Sequence, residues 1–450
     1  MEDNIRVIQY LGSKLKILDE IKKEIDRVTV NKGIVVDLFA GTGVVATCLA
    51  KDYKVIANDI QAYSSLITTV LINNLHTKIT YEELLESESY KKNKGSLQKL
   101  FKDILNYESE VLTNEDYEKL AQLCESNVFY NGKNIDERKR KDISAMFGNS
   151  VELFSEETIE YFRKNKDTYA LFTLYYSNSY FSVEQCIEID SLRKAIDALS
   201  EEGLESSVDK KVLLVCLLHA ASECVSSVGK NFAQPIKVVD GKGNVKKFAI
   251  KRCMKDRKLS IGEAFKNMWN EINSERKLQE ETNVVLKMDA MDLLDKVDLS
   301  QVETFYLDPP YTIDHYSRFY HVLETLVEYD YPELEEKTFH GKKYLMNGRY
   351  RNDRVQSNYC IPSKGKNEFG TLIRKIAEKR KNIVMSYSDS DDDKDTRKRV
   401  VSKEELLDIL RTNYPVVEQK NITHRYRKLS SKETNRKEYE DSELLFICHF

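Results

Sequence analysis

The stretch ETFYLDPPYTIDHYSRFY, residues 303–320, places an acid, two prolines and a tyrosine directly after an apolar run. Because prolines cannot donate to a strand ladder, the predicted strand stops at Leu307 and leaves Asp308 at its carboxyl end. Pro309 and Pro310 carry no N–H group, so the backbone carbonyls here lack ladder partners and can face a ligand. A carboxylate beside a free carbonyl can accept both hydrogens of an exocyclic amino group.

This pattern suits a nucleobase as substrate. The Asp308 carboxylate and the Pro309 carbonyl would draw an amino nitrogen out of conjugation and ready its lone pair, without a covalent protein nucleophile. Tyr311 offers a face on which a base can stack, worth about 1–3 kcal/mol. The alternative is a strand end, a Pro-Pro turn and a tyrosine in the core. The chain has only six prolines, and two adjacent ones between an apolar strand and an aromatic favour the functional interpretation.

A second candidate site is the glycine turn in DLFAGTGVVA, residues 37–46. Gly41 and Gly43 permit positive φ and close approach of a ligand, and the turn formally matches a dinucleotide fingerprint. Asp37 argues against a dinucleotide, because an acid before the turn repels a pyrophosphate. It would instead attract the ammonium and sulfonium groups of S-adenosylmethionine. Asp59, which closes the next strand, could accept both hydroxyls of a ribose. Taken alone, both acids are equally well explained as cap and turn residues.

The elements that must position these residues follow an α/β pattern at both ends of the chain. Residues 1–75 predict strand, glycine turn, helix and second strand, and residues 283–450 resume with further strands, including 382–390 and 443–450. Between them, residues 76–282 are charged and helix-favouring, with strands scarce until about 230–255. We predict a catalytic α/β domain from the two ends and a helical insertion, far longer than an ordinary loop, that recognises the target.

The bulk composition excludes several classes of protein. The chain has 450 residues, 32% charged and 41% hydrophobic, with a net charge of −4, as in ordinary globular proteins. Its eight cysteines lack metal-ligand spacing, which predicts free thiols and no metal site. The N-terminus lacks the apolar stretch of a signal peptide. The most apolar run, 212–221, is too short to span a membrane and predicts a buried helix. We therefore expect a cytoplasmic protein.

Basic segments with interleaved aromatics are candidates for contact with nucleic acid. Residues 230–258 hold ten Lys or Arg and two acids in a net-acidic chain, and residues 341–354 and 423–437 are also basic. Such runs are often solvated faces, but they can also bind phosphates. We favour binding for the first segment and leave the other two open. The predicted contact residues are Lys230, Lys237, Lys246, Lys247, Lys251 and Arg252.

YLGSK (10–14), FAGTG (39–43) and DPPY (308–311), in that order and with a long insertion before the last, resemble the alpha group of DNA adenine N6-methyltransferases. These are the Dam-like and type II restriction–modification enzymes. The resemblance implies a Rossmann-like mixed sheet, S-adenosylmethionine as cofactor, double-stranded DNA as substrate, and a restriction endonuclease that is possibly encoded separately. The target base is flipped out of the duplex to reach such a site.

The same resemblance implies roles for individual residues. Tyr10, Gly12, Ser13 and Lys14 would lie near the methionine end of the cofactor, with Lys14 facing its carboxylate. Asp37 would lie near the amino group, beside the turn formed by Phe39, Gly41 and Gly43. Asp59 would bind the ribose, Ile60 would contact the adenine ring, and Asp289 would accept from the adenine amino group. Asp308, Pro309, Pro310 and Tyr311 would hold the target base.

Three other functions remain as alternatives. The first is an amino-methyltransferase acting on cytosine N4 or on RNA, although N4 enzymes more often carry serine at the position of Asp308. The second is a nucleotide-cofactor oxidoreductase, against which both Asp37 and the DPPY stretch count. The third is an inactive DNA-binding module, which the intact Asp308 and Tyr311 disfavour.

Overall fold

The computed structural model describes residues 5–126, 153, 155–199, 207–274, 283–313, 315–388, 399–426 and 439–450. Most of the basic segment 423–437 lies outside these ranges, so its predicted DNA contact has no structural counterpart here.

Within the described ranges, nine strands form one large sheet and one small hairpin. They are β1 (Ile34–Asp37), β2 (Val55–Asp59), β3 (Val284–Lys287), β4 (Val302–Leu307), β5 (Glu336–Phe339), β6 (Lys342–Leu345), β7 (Asn382–Ser388), β8 (Val416–Tyr426) and β9 (Tyr439–His449). The large sheet has the order β3-β2-β1-β4-β7-β9-β8. Its first five strands are parallel, whereas β9 is antiparallel to both neighbours. Strands are therefore confirmed within the predicted ranges 382–390 and 443–450, and the structure makes these two strands neighbours.

Eighteen α-helices lie in the described part of the chain. They are α1 (Leu18–Val28), α2 (Val44–Leu49), α3 (Ala62–Ile72), α4 (Tyr81–Glu86), α5 (Glu88–Leu100), α6 (Lys102–Thr113), α7 (Tyr117–Glu125), α8 (Glu156–Lys164), α9 (Leu171–Tyr175), α10 (Val183–Ala198), α11 (Ser207–Cys224), α12 (Lys247–Arg257), α13 (Ile261–Ile272), α14 (Ala290–Lys296), α15 (Tyr316–Phe319), α16 (His321–Glu328), α17 (Gly365–Glu378) and α18 (Lys403–Asn413). Several begin at the polar caps that the sequence provides. Ser182 and Gln185, for example, form a reciprocal capping box at the start of α10.

The sheet is covered on both faces, which explains why its central strands are almost continuously apolar. Side chains alternate between faces along each strand. Phe305 and Leu307 of β4 therefore pack with α14, α17 and α18, whereas Tyr306 points to the opposite face and packs with α1 and α2.

The insertion is helical, as predicted, but its expected strands near 230–255 are wrong. In the described residues this region holds only isolated bridges, Ser227–Pro235 and Val239–Val245, followed by α12. The reason is local: Asp240 accepts the backbone N–H groups of Lys242 and Asn244, which closes a turn in place of a ladder.

The insertion packs against the sheet layer through a shared core. One apolar cluster joins insertion helices to Ile67 of α3 and to Val322 and Leu323 of α16. The apolar run 212–221 lies within α11 and is buried, as predicted. No helix in the described ranges is long and apolar enough to cross a membrane.

The pairing of β1 with β4 sets the position of the candidate site. Val36 lies opposite Phe305 and Asp37 opposite Tyr306, so Asp37 and Asp308 emerge at the same edge of the sheet. The strand order reverses between these two strands, and ligands of open α/β sheets bind at such a switch point.

Candidate active site

A cavity opens at the carboxyl ends of β1, β2 and β4. Its apolar and aromatic lining comes from Tyr10, Leu38, Phe39, Ile60, Met288 and Tyr359, and its acids are Asp59, Asp289, Asp308 and Glu368. A largely apolar cavity with a few convergent polar groups is the usual form of a small-molecule site.

Asp308 is held by an ammonium group from the N-terminal segment. Lys14 Nζ lies 2.9 Å from Asp308 Oδ2 and 3.1 Å from Glu443 Oε1, and it donates to the Gly12 carbonyl at 3.1 Å. The resemblance implied that Lys14 faces the cofactor carboxylate. In the structure its ammonium instead lies between two carboxylates of the protein.

These charges shift one another's pKa. Burial raises the pKa of Asp308 to about 6, an effect that Lys14 opposes and Glu443 strengthens. Burial disfavours the charged form of Lys14, but the Asp308 and Glu443 carboxylates outweigh it and raise its pKa well above the ordinary value. Lys14 is therefore charged, and Asp308 is ionised at neutral pH.

Asp37 is the most isolated acid of the site. It is 1% exposed, and neither of its carboxylate oxygens has a hydrogen-bond partner of normal geometry in the described chain. Burial, followed by the charge of Asp308, raises its pKa to about 8, against weaker opposing effects of the Ala46 and Phe39 backbone amides. A buried acid without a partner is costly, so this position is suited to receive a cation.

Hydrogen bonds to the Asp59 carboxylate hold the glycine turn in place. This carboxylate accepts the N–H of Gly41 and the N–H of Gln61, both at 2.9 Å. Gly41 has φ +53°, and a Cβ atom there would lie 2.9 Å from the ring of Tyr10. A side chain at this position would therefore clash with a residue that lines the cavity.

The predicted site residues divide into two sets. Those that line the cavity are Tyr10, Phe39, Asp59, Ile60, Asp289, Asp308 and Pro310. Those outside its lining are Gly12, Ser13, Lys14, Asp37, Gly41, Gly43, Pro309 and Tyr311. Asp289 uses one carboxylate oxygen to cap α14 through the Met291 N–H, at 2.8 Å. Tyr311 is half-buried, with its ring 5.2 Å from that of Tyr387.

Two further segments line the cavity and were not predicted. One is His315–Ser317, at the start of α15, and the other is 355–360 with Glu368. The first lies only seven residues beyond Asp308, and proximity to DPPY was a usable signal for it. The second carries no motif, and only the tertiary fold brings it to the cavity.

Together, the reversed strand order and an acidic cavity at the switch point define a doubly wound α/β protein with a candidate ligand site at the carboxyl ends of its strands. A model of the family described as D12 class N6 adenine-specific DNA methyltransferase matches residues 10–202 and 260–389. The chain belongs to this family, which confirms the predicted family and fold class.

Curated relatives agree with this assignment. The chain is 26% identical over 404 residues to "Modification methylase LlaI" of Lactococcus lactis subsp. lactis, covering 90% of this chain and 48% of that protein. It is 26% identical over 383 residues to "Type II methyltransferase M.FokI" of Planomicrobium okeanokoites, covering 85% of this chain and 44% of that protein. It is also 23% identical over 444 residues to "Modification methylase StsI" of Streptococcus sanguinis, covering 98% of this chain and 51% of that protein. The chain thus spans about half the length of these relatives.

We predict that Lys14→Met destabilises the protein in a pH-dependent way, because it leaves the Asp308 and Glu443 carboxylates without their ammonium. The loss at pH 8 should be about 2–3 kcal/mol, below the roughly 3–5 kcal/mol of a fully buried pair because Asp308 is partly exposed. The loss should shrink at pH 5, below the Asp308 pKa of about 6, where Asp308 protonates. Urea unfolding at both pH values measures it.

The matched control is Lys22→Met, whose partly exposed ammonium pairs with Asp26 and Asp52. It should cost less than about 1 kcal/mol. An equal loss for Lys14→Met at pH 5 and pH 8 would mean that packing, rather than charge, explains the effect.

Proposed function

We propose that this protein transfers a methyl group from S-adenosylmethionine to N6 of an adenine flipped out of double-stranded DNA. One observation carries the proposal: the pairing of β1 with β4 brings Asp308 and the unpartnered Asp37 to one edge of the sheet, beside a cavity lined by Asp59 and Asp289. Family membership and the names of the relatives support it. We further propose that it acts inside the cell as the modification enzyme of a restriction–modification system, alongside a separately encoded endonuclease.

The residues present fit the proposed cofactor. The buried, unpartnered Asp37 carboxylate suits its ammonium group, and the Gly41 turn leaves space that a side chain would fill. Asp59 and Asp289 have remaining lone pairs for ribose hydroxyls and an adenine amino group. When bound, S-adenosylmethionine supplies an electrophilic methyl group.

Asp308 and Pro309 would act on the target base. No described residue donates to Asp308 Oδ1 or to the Pro309 carbonyl, so both can accept the N6 hydrogens. N6 would take up the methyl group that S-adenosylmethionine supplies, and the leaving group would keep the electrons of the broken bond. The Asp308 carboxylate takes the N6 proton that is lost. Tyr311 would stack on the base.

A basic groove lies next to the cavity and would hold the DNA. It is lined by Gln234, Pro235, Lys237, Arg318, Lys337, Leu345, Met346, Asn347, Gly348 and Tyr350. Tyr316 and Ser317 of α15 line the cavity, and the next residue, Arg318, lines the groove. Since they share this helix, a duplex in the groove would present a flipped base to the cavity.

The cations of this groove are available for phosphate. In the described ranges no carboxylate pairs with Lys237, Arg318 or Lys337 within 4 Å. Arg318 lies over the ring of Tyr350, and its Nε donates to the Tyr350 hydroxyl at 3.1 Å. Unpaired Lys and Arg beside polar side chains are the usual means of binding a DNA backbone.

The other predicted DNA contacts differ in their availability. Lys230 donates to the Glu223 and Val225 carbonyls, at the end of α11, and to the Asp256 carboxylate. These bonds give Lys230 a structural role. Lys246 donates to the Lys237 carbonyl, and Arg252 lies 3.7 Å from Asp256. Lys247 and Lys251 are exposed on α12 and, with Lys237, remain proposed contacts.

We predict that the protein transfers label from methyl-labelled S-adenosylmethionine to unmethylated double-stranded DNA, with the mark on adenine N6. The measurement is scintillation counting followed by chromatography of the hydrolysed nucleosides. Label found on cytosine or on RNA alone would support the alternative amino-methyltransferases instead. The absence of transfer to any nucleic acid would reject the proposed function.

Substitutions of Asp308 and Asp37 should have different effects, the first on the transfer rate and the second on cofactor binding. Asp308→Ala should lower the transfer rate by about a hundredfold or more, as when one preorganised electrostatic contact is lost, while calorimetry shows an unchanged cofactor affinity. Asp37→Asn should weaken cofactor binding about ten- to a hundredfold, because a hydrogen bond to a charged group contributes about 1.5–3 kcal/mol. Asp295→Ala, an exposed control, should change neither. Equal loss of binding in the Asp308 and Asp37 variants would contradict this division of roles.

The groove makes a separate prediction. Lys237→Ala with Lys337→Ala should weaken duplex binding and reduce the slope of log affinity against log salt by up to about 2, since each phosphate contact contributes about 0.9. Cofactor affinity should not change. Lys343→Ala is the control, because that lysine lies in the same hairpin but is paired with Glu336. An unchanged slope in the double variant would exclude the groove from DNA contact.

A further inference from the structure

Glu443 is a buried acid that none of the sequence motifs includes. It is 7% exposed and lies opposite Ser388 near the start of β9. Because β9 runs antiparallel to β7, this part of the strand reaches the edge of the sheet where β4 ends. The residue also lies beyond the stretches that the family model matches. A buried carboxylate needs a charged partner, and its partner is Lys14.

The Lys14 ammonium lies among three protein oxygens. It forms ion pairs with Asp308 Oδ2 at 2.9 Å and with Glu443 Oε1 at 3.1 Å, and it donates a hydrogen bond to the Gly12 carbonyl at 3.1 Å. These contacts place the ammonium against one oxygen of Asp308, and no described residue donates to the other oxygen, Oδ1. Gly12 has φ +77°, a conformation that favours glycine and brings its carbonyl to Lys14.

We propose that Glu443 is a positioning residue that acts on Asp308 through Lys14. The inference rests on the proposed function and deepens it. Two carboxylates share one ammonium, so the cluster keeps a net charge of −1. Positive charge develops on N6 as the new C–N bond forms, and a fixed negative cluster beside it stabilises that transition state. Without Glu443 the ammonium would belong to Asp308 alone and would weaken Asp308 as an acceptor.

The charged groups around Asp308 determine in which direction its pKa moves when Glu443 is substituted. Lys14 faces it from the N-terminal segment, Glu443 from β9 and Asp37 from β1, and the hydroxyls of Tyr306 and Tyr311 lie near these groups. Lys14 lowers the pKa of Asp308, whereas Glu443 raises it. Removing the charge of Glu443 must therefore lower the pKa of Asp308.

The experiment compares Glu443→Gln with wild type and with Glu418→Gln, a matched change at a partly exposed position on β8. Carboxyl carbons of cofactor-free, aspartate-labelled protein are titrated by NMR, and the Asp308 signal is identified by its loss in Asp308→Asn. We expect the midpoint of the Asp308 titration to lie at lower pH in Glu443→Gln than in wild type, and to be unchanged in Glu418→Gln. We also expect kcat to fall about tenfold, the acid limb of the rate profile to move to lower pH, and KM for DNA and cofactor to stay within about twofold.

A second variant separates charge from packing. Glu443→Asp keeps the charge, so the Asp308 midpoint should stay near the wild-type value even if thermal stability falls. An equal downward shift in Glu443→Asp and Glu443→Gln, or an unmoved midpoint in Glu443→Gln, overturns the proposal. The NMR titration needs no methyl transfer, so a failed proposed function appears as inactive wild type with the Asp308 shift intact.

Discussion

The parallel pairing of β1 with β4 is the constraint on which the site depends. It joins the two halves of the sheet across the whole helical insertion and aligns Asp37 with Tyr306. The strand order reverses at this pair, so the carboxyl ends open a crevice that no neighbouring helix fills. A shift of one residue in register would turn Phe305 and Leu307 out of their apolar layer. The same packing that stabilises the fold therefore fixes the acids of the site.

Those acids outnumber the nearby cations, which favours a cationic ligand at this site. Asp308 and Glu443 lie around one ammonium, that of Lys14, and the charge of Asp308 also acts on Asp37. Burial raises the pKa of Asp37 to about 8 and that of Asp308 to about 6, so at neutral pH Asp37 is mostly protonated and Asp308 mostly ionised in the cofactor-free protein. On the proposed function, a ligand with a sulfonium and an ammonium would favour the ionised form of Asp37. The demethylated product has lost the sulfonium charge, so on the proposed function it binds less favourably and can leave.

The sequence predicts local chemistry better than long-range contact. The strands around Asp37 and Asp308 follow from apolar runs that end in turns, and the glycine turn follows from the positive φ of Gly41 and Gly43. The pairing of Lys14 with Glu443 does not follow from local sequence, because the antiparallel strand β9 brings Glu443 to Lys14 only in the folded sheet. The segment 355–360 likewise meets the cavity through tertiary packing alone. The prediction of strands near 230–255 was wrong because Asp240 accepts a backbone N–H and forms a turn where a strand ladder was expected.

Besides the shared apolar core, a loop at Phe232 connects the insertion to the rest of the chain through hydrogen bonds. The Phe232 N–H donates to the Phe319 carbonyl, and its own carbonyl lies 2.6 Å from the Tyr180 hydroxyl and 3.1 Å from the ring nitrogen of His321. This loop forms one wall of the groove, and it lies in the segment 203–259 that the family model does not match. The opposite wall, with Arg318, lies within the match. On the proposed function, sequence change in the unmatched wall would alter which DNA is bound while Asp308 and its partners keep their geometry.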